Sequence, residues 1–180
     1  MLTTTGTIMK TVLFYLCFLA AAFSASAQKS PLVGKKVGPV QIRDASDNPI
    51  MLPELGKKHL LIFYPDPDHA GQNKDFQDYM KAHPIDSDDI YAFGVVNLKD
   101  APMLPNSIVR AMVRKEVKAT GAQIYTDPDH LLRDAWGLGD VNNCFAVIFV
   151  TKDREIAYFK AGEMSEADKA EFFRVLERYK

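Results

Sequence analysis

His59-Leu60-Leu61-Ile62-Phe63-Tyr64 runs into Pro65-Asp66-Pro67-Asp68-His69-Ala70-Gly71, and then into a stretch that carries Phe76, Tyr79 and Met80 at helical spacing. The first segment is a short apolar run of strand length. Its prolines and aspartates then break it into a turn. Beyond Gly71 the spacing puts Phe76, Tyr79 and Met80 on one face of a helix. That helix ends at His83-Pro84, because proline has no N–H to donate and clashes with the preceding turn. The unit is strand, polar turn, helix, and the turn holds no cysteine.

The same alternation extends on both sides. Upstream, Pro39-Val40-Gln41-Ile42 is predicted as an edge strand, Asp47-Asn48 as a turn and Ile50-Met51-Leu52 as its short partner. Downstream, Ile90 to Val96 is almost continuously apolar, the pattern of a strand buried on both faces. A helix follows over Ser107–Ala119, with Asn106 as N-cap and Val109, Met112, Val113 and Val117 as its apolar stripe. Ile124-Tyr125-Thr126 is a strand, Asp127-Pro128-Asp129 a turn, and Leu131, Leu132, Ala135 and Trp136 mark a helix that Gly137 and Gly139 end. Phe145–Val150 and Glu155–Lys160 form a hairpin. The last helix starts at Ser165, with Asp168 completing a capping box, and buries Phe172, Val175, Leu176 and Tyr179. The expected fold class is α/β: a central mixed β-sheet flanked by helices, with an extra N-terminal β-hairpin.

Residues 1–27 have the features of a cleavable secretory signal. Lys10 is their only charge, Val12 to Phe23 is apolar, and Ala25-Ser26-Ala27 is a small-residue cleavage site. Met9-Lys10 offers an alternative start. The apolar run falls short of the roughly 20 residues that cross a bilayer. Cleavage after Ala27 leaves residues 28–180 as one domain, with no membrane span and a periplasmic destination. The formal charge is −1 for the chain, and becomes −2 once Lys10 leaves with the leader. Acidic and basic residues are interspersed, which excludes an electrostatic footprint for nucleic acid. The remaining domain keeps one cysteine, Cys144, so it forms no internal disulfide.

Several segments together resemble the exported thioredoxin superfamily. They are Gly38 to Ile42, Leu52-Pro53-Glu54-Leu55-Gly56-Lys57, the Phe63-Tyr64 strand, Asp127 to His130 with Trp136-Gly137-Leu138, and Val147 to Asp153. Within that superfamily the chain is similar to the YtfJ family of periplasmic thioredoxin-like proteins. Val96 to Pro102, Ser107 to Arg114, Ala135 to Leu138 and Cys144 to Asp153 carry that likeness. The resemblance implies a thioredoxin-like fold for nearly all of residues 28–180. It implies no established reaction and no cofactor.

On the register of that superfamily, Asp68 and Gly71 fall near the positions of the missing Cys-x-x-Cys pair. Phe145 takes the place of its cis-proline. A carboxylate and a glycine perform no thiol–disulfide exchange, which needs a thiolate. Asp66, Asp68, Gly71 and Phe145 then mark a ligand or partner face, for an unknown protein or small molecule of the envelope. Two alternatives have their own residues. Cys144, placed beside the vacated turn, could be a single nucleophile with His69 as its base, in a peroxidase or thiol transferase. Against it stands the ordinary use of cysteine as a small buried hydrophobe, and neighbouring aspartates that raise a thiol pKa. The repeated Asp-Pro-Asp-His offers Asp66, Asp68, His69, Asp127, Asp129 and His130 as ligands for a divalent metal. The local alternative is that each aspartate caps the helix after it.

Overall fold

The computed structural model describes residues 29–100 and 105–180, so the expected leader lies outside the described residues. Among the described residues seven strands and four helices follow in chain order: β1 Gln41–Arg43, β2 Pro49–Met51, β3 His59–Pro65, α1 Lys74–Ala82, β4 Ile90–Asn97, α2 Asn106–Thr120, β5 Ile124–Asp127, α3 Leu131–Trp136, β6 Phe145–Val150, β7 Ile156–Ala161 and α4 Glu166–Tyr179. A single 3-10 turn, Pro67–His69, separates β3 from α1. The order is the one the sequence pattern gives.

The strands form one sheet in the order β2-β1-β5-β4-β3-β6-β7. Strands β3, β4 and β5 run parallel, while β6, β7 and the β1–β2 hairpin are antiparallel to their neighbours. Strand β1 is not the edge expected from its sequence. Its Arg43 pairs with Thr126, which leaves β2 outermost on that side.

Each face of the sheet has its own core. One gathers Leu60, Ile62, Tyr64, Phe93 and Val95 beneath Trp136 and Leu132 of α3, with Val37 and Val40 from the N-terminal segment. The other gathers Leu61, Phe145, Val147 and Phe149 beneath α1 and α4, where Phe76 meets Phe172 edge-on with ring centroids 5.1 Å apart. Strand β6 is buried at every residue, as a continuous apolar run between two helical layers should be.

Strand β4 departs from that pattern. Phe93, Val95 and Asn97 are buried on the α3 face, but Ala92 is exposed and Gly94 and Val96 are half-buried on the other. An apolar run alone does not tell whether a helix covers each face. Two helix stripes are also narrower than expected. Met112 is 59% exposed and Tyr79 48% exposed, so α2 buries Val109 and Val113 and α1 buries Phe76. Asn106 is the first residue of α2 rather than its cap, and Pro105 occupies the cap position.

Helix α4 starts as the sequence dictates. Ser165 Oγ accepts from the Asp168 N–H at 3.2 Å, and Asp168 Oδ2 accepts from the Ser165 N–H at 2.9 Å. Lys160 Nζ lies 2.9 Å from the same carboxylate. Burial pushes the Asp168 carboxyl up, but Lys160 and the two Ser165 donors outweigh it and the net shift is downward. A carboxylate held below its unfolded pKa of about 3.9 stabilises the fold above that value and ceases to do so as pH falls through the lower folded pKa. Asp168→Asn should therefore cost about 1–2 kcal/mol at pH 7. In urea titrations across pH, the difference from wild type should shrink to nothing in strong acid. A difference that persists unchanged into acid would rule out the charge as its source.

Candidate functional site

The carboxyl ends of β3, β4 and β5 bring the two Asp-Pro-Asp-His segments to the same edge of the sheet. At the end of β3, Asp66 has no exposed surface. A buried carboxylate is tolerated only if its oxygens are hydrogen-bonded. Here Oδ1 accepts from the Asp68 N–H at 2.9 Å and Oδ2 from the Asn143 N–H at 2.8 Å. The Asp66 N–H in turn donates to the Cys144 carbonyl at 2.9 Å. The turn after β3 is thus fastened to the loop before β6.

A second fastener was not visible in the sequence. Gln72 Oε1 accepts from the Phe145 N–H at 2.8 Å, which closes the first donor of β6. Asn73, at φ 58°, reaches across to α4's approach, donating to the Gly162 carbonyl at 3.0 Å and accepting from the Met164 N–H at 2.8 Å. Asparagine tolerates this left-handed backbone better than most residues, which is the only sequence signal it gives. A glutamine in a polar run gives none.

Asp127, at the end of β5, is equally buried and equally engaged. Its oxygens accept from the Leu131 and Leu132 N–H groups at 2.8 and 2.9 Å, and from the Tyr64 hydroxyl at 3.0 Å. Burial first, and then Asp127, push the Tyr64 phenol well above its ordinary value, so the hydroxyl remains a donor. Beside this pair, His130 at φ 61° places Nε2 2.8 Å from Asp100 Oδ2, close but not aligned as a hydrogen bond. Asn97 Nδ2 donates to the same Asp100 oxygen at 2.6 Å. Asp100 was absent from the sequence-derived candidates.

These contacts place the residues singled out in the sequence. The six proposed metal ligands do not converge: among the described residues no three His, Cys, Asp or Glu side chains gather as a metal site. The reason is local, since Asp66 and Asp127 are engaged by their own loops, as helix-capping chemistry predicts, while Asp68 and Asp129 are exposed. The four residues expected to mark a ligand face differ in exposure. Asp68 and Gly71 are exposed, but Asp66 is sealed and Phe145 is 4% exposed, packed against Phe63.

Cys144 lies in the loop before β6, half-buried. Burial pushes its thiol up, and Asp140 and Asp66 push it further. No hydrogen bond joins it to His69, whose Nδ1 is buried without a partner. A raised thiol beside carboxylates is the opposite of an activated nucleophile.

No family model matches the chain, and no curated protein matches it. Solved structures do. An exposed lipoprotein thioredoxin of Streptococcus pneumoniae superposes with a TM-score of 0.57 at 13% identity, over 78% of this chain and 99% of that one. A putative thioredoxin of Neisseria meningitidis gives 0.56 at 19% identity, over 81% and 91%. A DsbF homologue of Corynebacterium diphtheriae gives 0.59 at 13%, over 89% and 97%. The fold is thioredoxin-like. At such identities the likeness is one of architecture, and function has to come from the site. In this thioredoxin-like frame the turn after β3 carries sealed carboxylate and amide contacts, and no thiol.

If Asp66 is a structural fastener rather than a ligand, its replacement should be felt in stability. Asp66→Ala strands the Asp68 and Asn143 N–H groups and should cost about 2–3 kcal/mol. Asp68→Ala, at an exposed position, should stay within about 0.5 kcal/mol. Chemical denaturation measures both. Equal costs would show that the Asp66 contacts are not what holds the turn.

Proposed function

We propose that this chain is an exported thioredoxin-fold protein of YtfJ type, acting in the periplasm as a binding or accessory module of the cell envelope without dithiol redox chemistry. The observation that carries the reading is the make-up of the turn after β3. It contains no sulfur, and its buried carboxylate is committed to the Asp68 and Asn143 N–H groups. Dithiol exchange needs one thiolate to attack and a second thiol to resolve the mixed disulfide. Residues 28–180 supply only Cys144. The export half of the reading is supported by the leader-like residues 1–27. Among the described residues no helix is long and apolar enough to cross a membrane. A single-thiol enzyme remains the alternative reading, and the raised Cys144 thiol argues against it.

Reduction of insulin by dithiothreitol, followed as turbidity, tests the redox half. The protein should leave the rate at that of buffer, with or without Cys144→Ser. A rate above buffer that Cys144→Ser abolishes would sink the proposal. The intact mass of the envelope-fraction protein tests export, and should correspond to a chain beginning at Gln28.

A further inference from the structure

Strand β4 outruns the strand beside it. It pairs with β3 from Ile90 to Gly94, but with β5 only from Gly94 to Asn97. The cause lies at the end of α2. Gly121, at φ 72°, caps that helix and turns the chain, which meets the sheet at Gln123, whose carbonyl accepts from the Gly94 N–H at 2.9 Å. Residues 90–93 are thus a stretch of open edge inside the sheet. Main-chain groups of alternate residues point to opposite edges of a strand. Because the Gly94 N–H points toward β5, the Ala92 N–H and C=O point that way too, and no strand or loop meets them among the described residues. Ala92 is exposed, so solvent satisfies both groups in the free protein.

The two faces beside this edge differ. On the α3 face Tyr91 leans toward β5, its hydroxyl 3.0 Å from that of Tyr125, which favours small side chains there. On the other face lies a groove of about 550 Å³, with Phe63 and Met80 in its apolar lining. Lys81 and Glu116 are the only charged residues of that lining. Neither is in an ion pair among the described residues. Lys81 lies in the last turn of α1, beside Pro84 and Ile85, toward the start of β4. Glu116 also borders Pro65 and Val96, toward its end.

We propose that this edge takes an extended segment of a partner protein as a short antiparallel strand. The segment carries an apolar residue opposite Ala92, a small residue on either side, a basic residue toward Glu116 and an acidic one toward Lys81. Antiparallel pairing lets one residue exchange both main-chain bonds with Ala92 and puts its side chain on the groove face. The free main-chain groups select a main chain. An alkyl chain would bury the Ala92 N–H and C=O unpaired, and a helix has its own groups bonded internally. A strand satisfies both, while alternate side chains reach the groove. The charges select further, because one free cation and one free anion complement a segment of both signs, with its basic residue first. One residue's pair of bonds makes a weak and reversible complex.

The proposal gives the binding-module reading its partner and rests on it, but its readouts are independent of insulin reduction, so either can fail alone. In the free protein, hydrogen exchange followed by NMR should find the Ala92 amide unprotected beside a protected Phe93 amide. The end-blocked peptide Lys-Ala-Ile-Ala-Glu should bind saturably and slow exchange at Ala92. Exchanging its two charges, to Glu-Ala-Ile-Ala-Lys, should weaken it about two- to threefold, as exposed ion pairs contribute little. Each main-chain bond has its own probe. N-methylation of the peptide isoleucine, read on the unaltered protein, and Ala92→Pro, read where the circular dichroism melt is kept, should each weaken binding about tenfold. Protection of the Ala92 amide in the free protein overturns the proposal, whether the chain itself or a second copy supplies the partner. So does the absence of saturable binding, or binding as tight by the N-methylated or the charge-exchanged peptide.

Discussion

A carboxylate with no exposed surface has to be surrounded by donors, and at Asp66 those donors come from two separate loops. Much of the upper edge of the sheet follows from that requirement. Because Oδ2 takes the Asn143 N–H, the loop before β6 is fixed against the end of β3, and the antiparallel register between those strands continues from Pro65 opposite Phe145. Because Oδ1 takes the Asp68 N–H, the chain turns at once into the 3-10 turn and delivers Gln72 to the Phe145 N–H. Removing the carboxylate would leave the part-buried Asp68 and Asn143 N–H groups without their partner on both loops, which costs more than the hydrogen bonds contribute in net terms.

Asp127 applies the same logic one layer away, with a different consequence. Its two oxygens hold the start of α3, a helix of only six residues that could not persist without tertiary support. The Tyr64 hydroxyl adds a third donor from β3 and ties α3's cap to the sheet core. Trp136, fully buried at the other end of α3, donates from Nε1 to the Gly38 carbonyl, while Lys35 Nζ reaches the Trp136 carbonyl at 2.7 Å. Short as it is, α3 is therefore held at both ends by residues far away in sequence.

How legible this was depended on the range of the interaction. The order of elements, the Thr151–Arg154 hairpin and the Ser165–Asp168 capping box are local, and sequence spacing located them. The paired Asp-Pro-Asp-His segments were also legible as helix-start chemistry, though their repetition suggested a shared metal that the geometry does not assemble. Strand order across the sheet was not legible, because the single Arg43–Thr126 pairing that moves β1 inward leaves no mark in composition. The Gln72–Phe145 and Asp66–Asn143 contacts join residues 73 and 77 positions apart, and no periodicity encodes them. The likeness to thioredoxin-fold proteins identified the architecture, and at such low identity it brought no function with it.

The sealed turn and the open β4 face have different physical status. At the turn, the Asp66 carboxylate and the Phe145 N–H are satisfied within the chain, so a ligand would have to break existing hydrogen bonds to reach them. Over β4 the opposite holds. Ala92 is exposed and Gly94 half-buried, and the groove above them is lined mainly by apolar side chains, with Lys81 and Glu116 among them. Covering such apolar surface is favourable in proportion to its area, without any exchange of protein hydrogen bonds. Apolar burial is therefore available over the uncovered strand without the rearrangement that the sealed turn would demand.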